Sequence, residues 1–357
     1  MVYGSVYESV ANTSALANVE PFEFEESMSF MDMGAQTLEE STNDWNNMMR
    51  AIGITELSYV AETGQELIYE AVDVKAIKDR IIKWFLDLWA KIQGIANAAL
   101  AKFASYSKND DKFIAKYEQY LKPGLDAIPE GFSFKGYKFD DEAISTAVDK
   151  IQSESDNMIS AGKIEGLAAR GTSGGSSNPD ADINAYRASI IPGYTGNEVT
   201  KSDFAKALNK ALRGSDAKVS LSKADIDITS IVDNVKGAKA AVDGAKNAKK
   251  TIKSSIDKCI EVVNKMAKDY EAADEKNAAT MMTNHSALLK KVEDANTVWF
   301  SNYIRVLNDR NRQSKALCVK LVQYGTPAVK NAKKNGSGST NEAASILEDR
   351  FAAIFGD

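Results

Sequence analysis

The chain has 357 residues, 44% of them hydrophobic and 26% charged, with six prolines and a formal net charge of −6. That length and apolar content suit one elongated helical domain with a tail, or two to three domains, and they exclude wholesale disorder. Two cysteines, Cys259 and Cys318, exclude a disulfide framework or a cysteine-rich metal site, and a single histidine, His285, excludes a multi-histidine one.

The charge is divided unevenly. Residues 1–70 hold thirteen acidic residues and one basic residue, Arg50, for a charge of −12; residues 71–357 hold 43 basic and 37 acidic residues, for +6. Such an asymmetry points to an intramolecular mask, a detachable segment or an interaction tail. The opening "MVYGSVYESVANTSALA" has neither the basic region nor the apolar run of a signal peptide. No stretch approaches the ~20 apolar residues of a membrane span, so synthesis in a cytoplasm without secretory export is expected.

In chain order, residues 1–65 show no sustained period and read as loosely ordered, with short helices possible at 35–51 and 54–70. From Val74 an apolar stripe runs through Ile77, Ile81, Trp84 or Phe85, Leu88, Ile92, Ile95, Ala99 and Phe103 at three- and four-residue steps. This predicts one long amphipathic helix over 72–103, with lysines on its polar face. A second helical piece is expected at 109–122, stopped by Pro123 and Gly124. "EGFSFKGYKFD", residues 130–140, carries the one hairpin signal. Helix resumes over 141–166 and breaks in the Gly/Ser linker at 169–182. Short helices follow at 182–190 and 200–213, the latter with Thr200 as its N-cap.

Two proline-free stretches, 228–273 and 279–323, predict helices roughly 65–70 Å long. They close as an antiparallel hairpin or run on as one rod. A hairpin turning near residue 277 sets Cys259 opposite about residue 295 and Cys318 some 35 Å away, so the thiols stay unbonded. "TPAVKNAKKNGSGST" reads as a hinge, and Ser339 with Glu342 as the capping box of a terminal helix. The expected fold is mainly α and elongated: an acidic leader at 1–70, a helical body at 71–168, the linker at 169–182, the long pair with its preceding short helices at 183–325, and a hinge with a C-terminal helix at 326–357.

Catalytic signals are thin. His285 lies in "TMMTNHSALL" with no nucleophile motif beside it, and "GTSGGSSNPD" lacks the lysine and spacing of a phosphate-binding loop. No catalytic, cofactor-binding or metal-binding residue is assigned, and a non-enzymatic role is expected. Lys239, Lys246, Lys249, Lys250 and Lys253 recur on one helical face and are candidate non-specific phosphate contacts, although an ordinary solvated face is the favoured explanation. The 72–103 helix, with its tryptophans and lysines, suits either a helix-packed core or a membrane interface.

At the charge boundary stands Ile68-Tyr69-Glu70, followed by Ala71. An aliphatic residue, any residue and a glutamate before a cut resembles the prohead-protease site of T-even-like tailed phages; Leu38-Glu39-Glu40 fits the same tripeptide. The acidic leader followed by a lysine-rich aromatic helix is similar to virion structural and internal head proteins of large tailed phages, over about residues 1–110. The resemblance implies a head-associated virion protein that self-associates and contacts other virion proteins, with packaged DNA as a non-specific partner. It also implies a maturation cut between Glu70 and Ala71 by a prohead protease. The competing expectations are a membrane-active or ejected protein that uses helix 72–103, an enzyme without a recognisable motif, and a permanent acidic tail or docked leader.

Overall fold

The structure, a computed structural model, describes residues 25–51, 74–172, 179–236, 238–273 and 278–335. Its helices are α1 (Glu25–Ala51), α2 (Val74–Ala127), α3 (Asp141–Met158), α4 (Ala161–Thr172), α5 (Pro179–Ser189), α6 (Lys201–Arg213), α7 (Ile228–Lys236), α8 (Ala238–Ala273) and α9 (Ala278–Asn335). Strands β1 (Phe134–Gly136) and β2 (Val219–Leu221) form a two-stranded antiparallel ribbon. The fold is mainly α, as the periodicity predicts.

The long C-terminal helices close as a hairpin. Cys259 on α8 lies against Glu293 on α9, and Tyr270 meets His285, so one number falls as the other rises. Helix α2 runs antiparallel to α8, since Asn97 accepts from Lys249 while Glu118, further along, pairs with Lys236 just before α8. It follows that α2 and α9 run parallel, and they are the most extensively packed pair. The predicted stripe on α2 is core: Ile81, Phe85, Ile92, Ala99 and Phe103 are fully buried.

Three sequence expectations are corrected. First, the leader is not loosely ordered throughout, because α1 lies antiparallel to α2 and α9. Trp84 Nε1 donates to the Ser41 carbonyl at 2.9 Å, and the Trp45 and Trp84 rings meet edge to face at 5.0 Å. The buried seam of α1 is Phe30, Gly34, Thr37, Ser41, Trp45 and Met49. Half of those residues are small or polar, which hides the period from a hydropathy reading. The possible helix at 54–70 lies outside the described residues.

Second, Pro123 and Gly124 do not end a helix, and no break separates 72–103 from 109–122: α2 continues to Ala127. A proline there removes one backbone hydrogen bond, but the chain around it is clamped by packing. A Cβ on Gly124 would run into the backbone of Leu321 on α9, and one on Gly325 into the backbone of Tyr120 on α2. This glycine pair is where the two long helices touch backbone to backbone, flanked by the buried Leu121, Leu321 and Val322. Third, the expected hinge after residue 325 is helix, since α9 passes Pro327 and reaches Asn335. The proposed capping box at Ser339 and Glu342 lies outside the described residues.

Smaller elements follow the sequence closely. Thr200 caps α6, its hydroxyl accepting from Asp203 N at 3.3 Å. Helix 141–166 is divided at Ile159–Ser160, and residues 173–178 of the linker lie outside the described residues. The hairpin signal at 130–140 supplies one strand, β1, and the partner strand comes from 219–221 and not from within that segment, pairing Phe134 with Leu221 and Gly136 with Val219. Gln313 of α9 holds the ribbon, accepting from Tyr137 N at 2.7 Å and donating to Tyr137 O at 2.8 Å.

Buried apolar side chains form two cores. The larger lies among α1 to α6 and the α8–α9 hairpin; the smaller joins α2 from Ile114 onward, α7, the ribbon and α9 from Leu317 onward.

Candidate functional site

Most of the polar chemistry in the interior is carried by α9. Within the larger core, Glu293 is fully buried. Its Oε1 accepts from Ser255 and, at 3.2 Å, from Asn296 Nδ2, and Cys259 Sγ lies 3.5 Å away. Asn296 Nδ2 also donates to Ser255 Oγ at 2.9 Å, while its Oδ1 accepts from Tyr186, whose hydroxyl meets Ser155 Oγ at 2.7 Å. Four helices, α3, α5, α8 and α9, are thereby tied through one neutral network. Burial pushes the Glu293 carboxyl up to about 7 and raises the Tyr186 and Cys259 groups well above their ordinary values. Glu293 Oε2 has no hydrogen-bond partner.

Two turns from the α8–α9 connection, His285 is packed inside, with its Nδ1 bonded to the Tyr270 hydroxyl. Burial pushes its imidazole down to about 4, so it is neutral at pH 7. Both cysteines are buried thiols outside any disulfide, and Cys259 faces residue 293, close to the expected register.

A second polar layer lies farther along α9. Arg213 at the end of α6 forms a buried ion pair with Asp309 and lies over the Tyr137 ring at 4.6 Å. Arg310 pairs with Asp141 at the start of α3 at 2.8 Å, and Asn311 Nδ2 donates to Asn234 O at 3.1 Å. Beside this layer, a polar cleft of about 860 Å³ opens between α3, α7, α8 and α9. Its walls include Asp149, Asp243, Lys250, Tyr303 and Arg310; the two aspartates are exposed and do not form a buried acid pair. Among the described residues no group of three or more His, Cys, Asp or Glu is placed to hold a metal ion.

The sequence-derived candidates fall as follows. Glu70 and Ala71 lie outside the described residues, between α1 and α2. Lys246 is exposed and Lys250 faces the cleft. Lys249 donates to Asn97 at 2.9 Å, and Lys253 pairs with Asp257 while lying over Trp89 at 5.8 Å. The side chain of Lys239 is outside the described residues. The row therefore stays on one side of α8, but two of its members are turned to α2 or to a neighbouring carboxylate. The α2 stripe is used inside the bundle, and among the described residues no helix is long and apolar enough to cross a membrane.

The residues that sequence reasoning missed are Glu293, Asn296 and Tyr186, and the layer around Asp309. The second had a signal: "NDRNRQS", residues 308–314, is seven polar residues in a row inside a helix that is apolar-striped on both sides. No protein-family model, no curated protein and no solved structure matches this chain.

Proposed function

We propose that the chain is a non-enzymatic structural protein of a tailed-phage virion, head-associated or internal, that works by packing, charge and self-association and is matured by a cut after Glu70. The observation carrying this reading is the docking of α1. Helix α1, 27 of the leader's 70 residues, covers the α2 and α9 apolar faces through Trp45, Phe30 and Met49, and Glu40 and Asp44 pair with Lys91 at 3.2 and 2.9 Å. The segment joining α1 to α2, residues 52–73, contains the Glu70–Ala71 boundary.

While the segment is intact, α1 is tethered at an effective concentration on the order of millimolar. A cut turns that docking into an ordinary bimolecular equilibrium. Loss of α1 then uncovers Trp84 and its apolar neighbours for another virion protein or a second copy. It also changes the chain's charge from −6 to +6, which favours contact with packaged DNA.

The test is intact mass and N-terminal sequencing of the protein from its native particle. A chain beginning at Ala71 is the expected result. A chain from assembled particles that retains residues before Glu70 would sink the maturation step and leave α1 as a permanent part of the bundle.

A further inference from the structure

Between Leu307 and Leu317 helix α9 changes character. The seven residues from Asn308 to Ser314 are all polar, yet Asn308, Asp309, Asn311, Gln313 and Ser314 are buried. This layer separates the two apolar cores. On one side of it Arg213, Arg305 and Arg312 converge on a single carboxylate, Asp309. The exposed Lys135 and Lys218 stand at the surface beside them. Arg213 bonds Asp309 Oδ2, and Arg305 Nε stands 3.9 Å from the same oxygen, beyond hydrogen-bond reach.

The donors here are under-used. Arg213 Nε, Arg305 Nε and both amide atoms of the fully buried Asn308 have no hydrogen-bond partner, nor does Asp309 Oδ1. Native interiors pair the large majority of such groups. Asn308 is one turn from both Arg305 and Arg312, so these side chains share a helix face. We propose that this layer is a binding site for a small oxyanion of the phosphate class, held by Arg213, Arg305 and Asn308, with Arg312 and Lys218 adding charge and Asp309 Oδ1 accepting the anion's own proton.

Three features select that chemistry. Arg213 and Arg305 set two cations against the one carboxylate of Asp309 in a desolvated place, an excess that water molecules alone do not offset. The unpartnered guanidinium donors suit an anion with several acceptor oxygens. The orphaned Asp309 oxygen calls for a donor, which hydrogen phosphate carries and sulfate does not. Access is limited as well: Arg213 is 4% exposed and Asn308 0%, so a duplex backbone cannot reach these groups.

The test is calorimetric titration of the full chain with inorganic phosphate, against sodium sulfate and sodium chloride at matched ionic strength. Phosphate should bind saturably, and Arg305→Gln should weaken it by about tenfold or more, the worth of one charged hydrogen bond. Arg312→Gln, at a half-buried position, should weaken it in the same direction, which keeps the test alive if the first variant folds poorly. Lys250→Gln, on the cleft side of the bundle, should leave affinity unchanged. Phosphate acting no differently from chloride, or Lys250→Gln costing as much as Arg305→Gln, would overturn the site. Sulfate binding as tightly as phosphate would overturn the role given to Asp309.

Discussion

Helix α9 carries two buried polar layers that solve the same problem in opposite ways. Around Glu293 and Asn296 the groups are hydroxyls, an amide and a carboxyl that burial keeps largely protonated below pH 7, and they bond to one another across four helices. Around Asp309 the groups are charged, three arginines face one carboxylate, and several donors are left over. A network of short side chains leaves little over within a helical core, here Glu293 Oε2. A charged one built from long arginines against a single carboxylate leaves more donors without a partner.

The largest expected effect lies in the charged layer. Asp309→Asn leaves Arg213 and Arg305 without their carboxylate, and breaking a buried pair in this way costs about 3–5 kcal/mol. Urea unfolding should show this as a lower midpoint. Replacing both partners of the closer pair, as Arg213→Met with Asp309→Leu, should recover part of the loss, Arg305 still lacking its carboxylate. If the double variant is as unstable as the single, the layer is held by packing and not by charge.

The neutral layer is sharpened by pH. Glu293 holds its proton more tightly when folded, at about 7 against an ordinary 4.5, so its contribution is full below 4.5 and is lost as pH rises toward 7. His285 behaves in the opposite sense. Its folded value of about 4 against 6.5 means that its contribution is full above 6.5 and is lost as pH falls toward 4. Each amounts to about 3 kcal/mol at 1.36 kcal/mol per unit, and they cancel over much of the same window. Glu293→Gln should therefore tilt the stability profile downward toward acid, and His285→Gln should tilt it upward. Denaturation midpoints at pH 4.5 and 7 for both variants test this; parallel profiles would refute it.

Tyr186→Phe is a smaller break in the same layer. It removes the hydroxyl that bonds Asn296 and Ser155 without changing ring volume, at about 1 kcal/mol by thermal unfolding.

The sequence announced the long elements because their periodicity is strong: the α2 stripe and the Thr200 cap could be read from it, and the register of the long pair, about residue 295 opposite Cys259, only on the condition that the pair closed as a hairpin. It misled where tertiary packing overrides a local rule. Pro123 and Pro327 are punctuation in isolation, but the backbone contact at Gly124 and Gly325 holds both helices through them. It was silent on Glu293, since a glutamate in "KKVEDAN" looks like any solvated acid until Ser255 and Asn296 are brought beside it. The polar run at 308–314 was visible but meaningless without knowing that those residues are buried.

The smallest expected effect concerns how α1 is held. Lys91 reaches both Glu40 and Asp44 from α2, yet its side chain is 27% exposed and theirs are 47% and 54% exposed. Pairs in that setting contribute little and fade with salt. Lys91→Ala should lower the unfolding midpoint slightly at low salt and not at all near 1 M salt, whereas the Asp309→Asn deficit, being buried, should persist at both. If Lys91→Ala instead destabilises strongly, charge and not the Trp45–Trp84 seam holds the leader in place. Salt alone would then undock α1, and a cut after Glu70 would be unnecessary for its release.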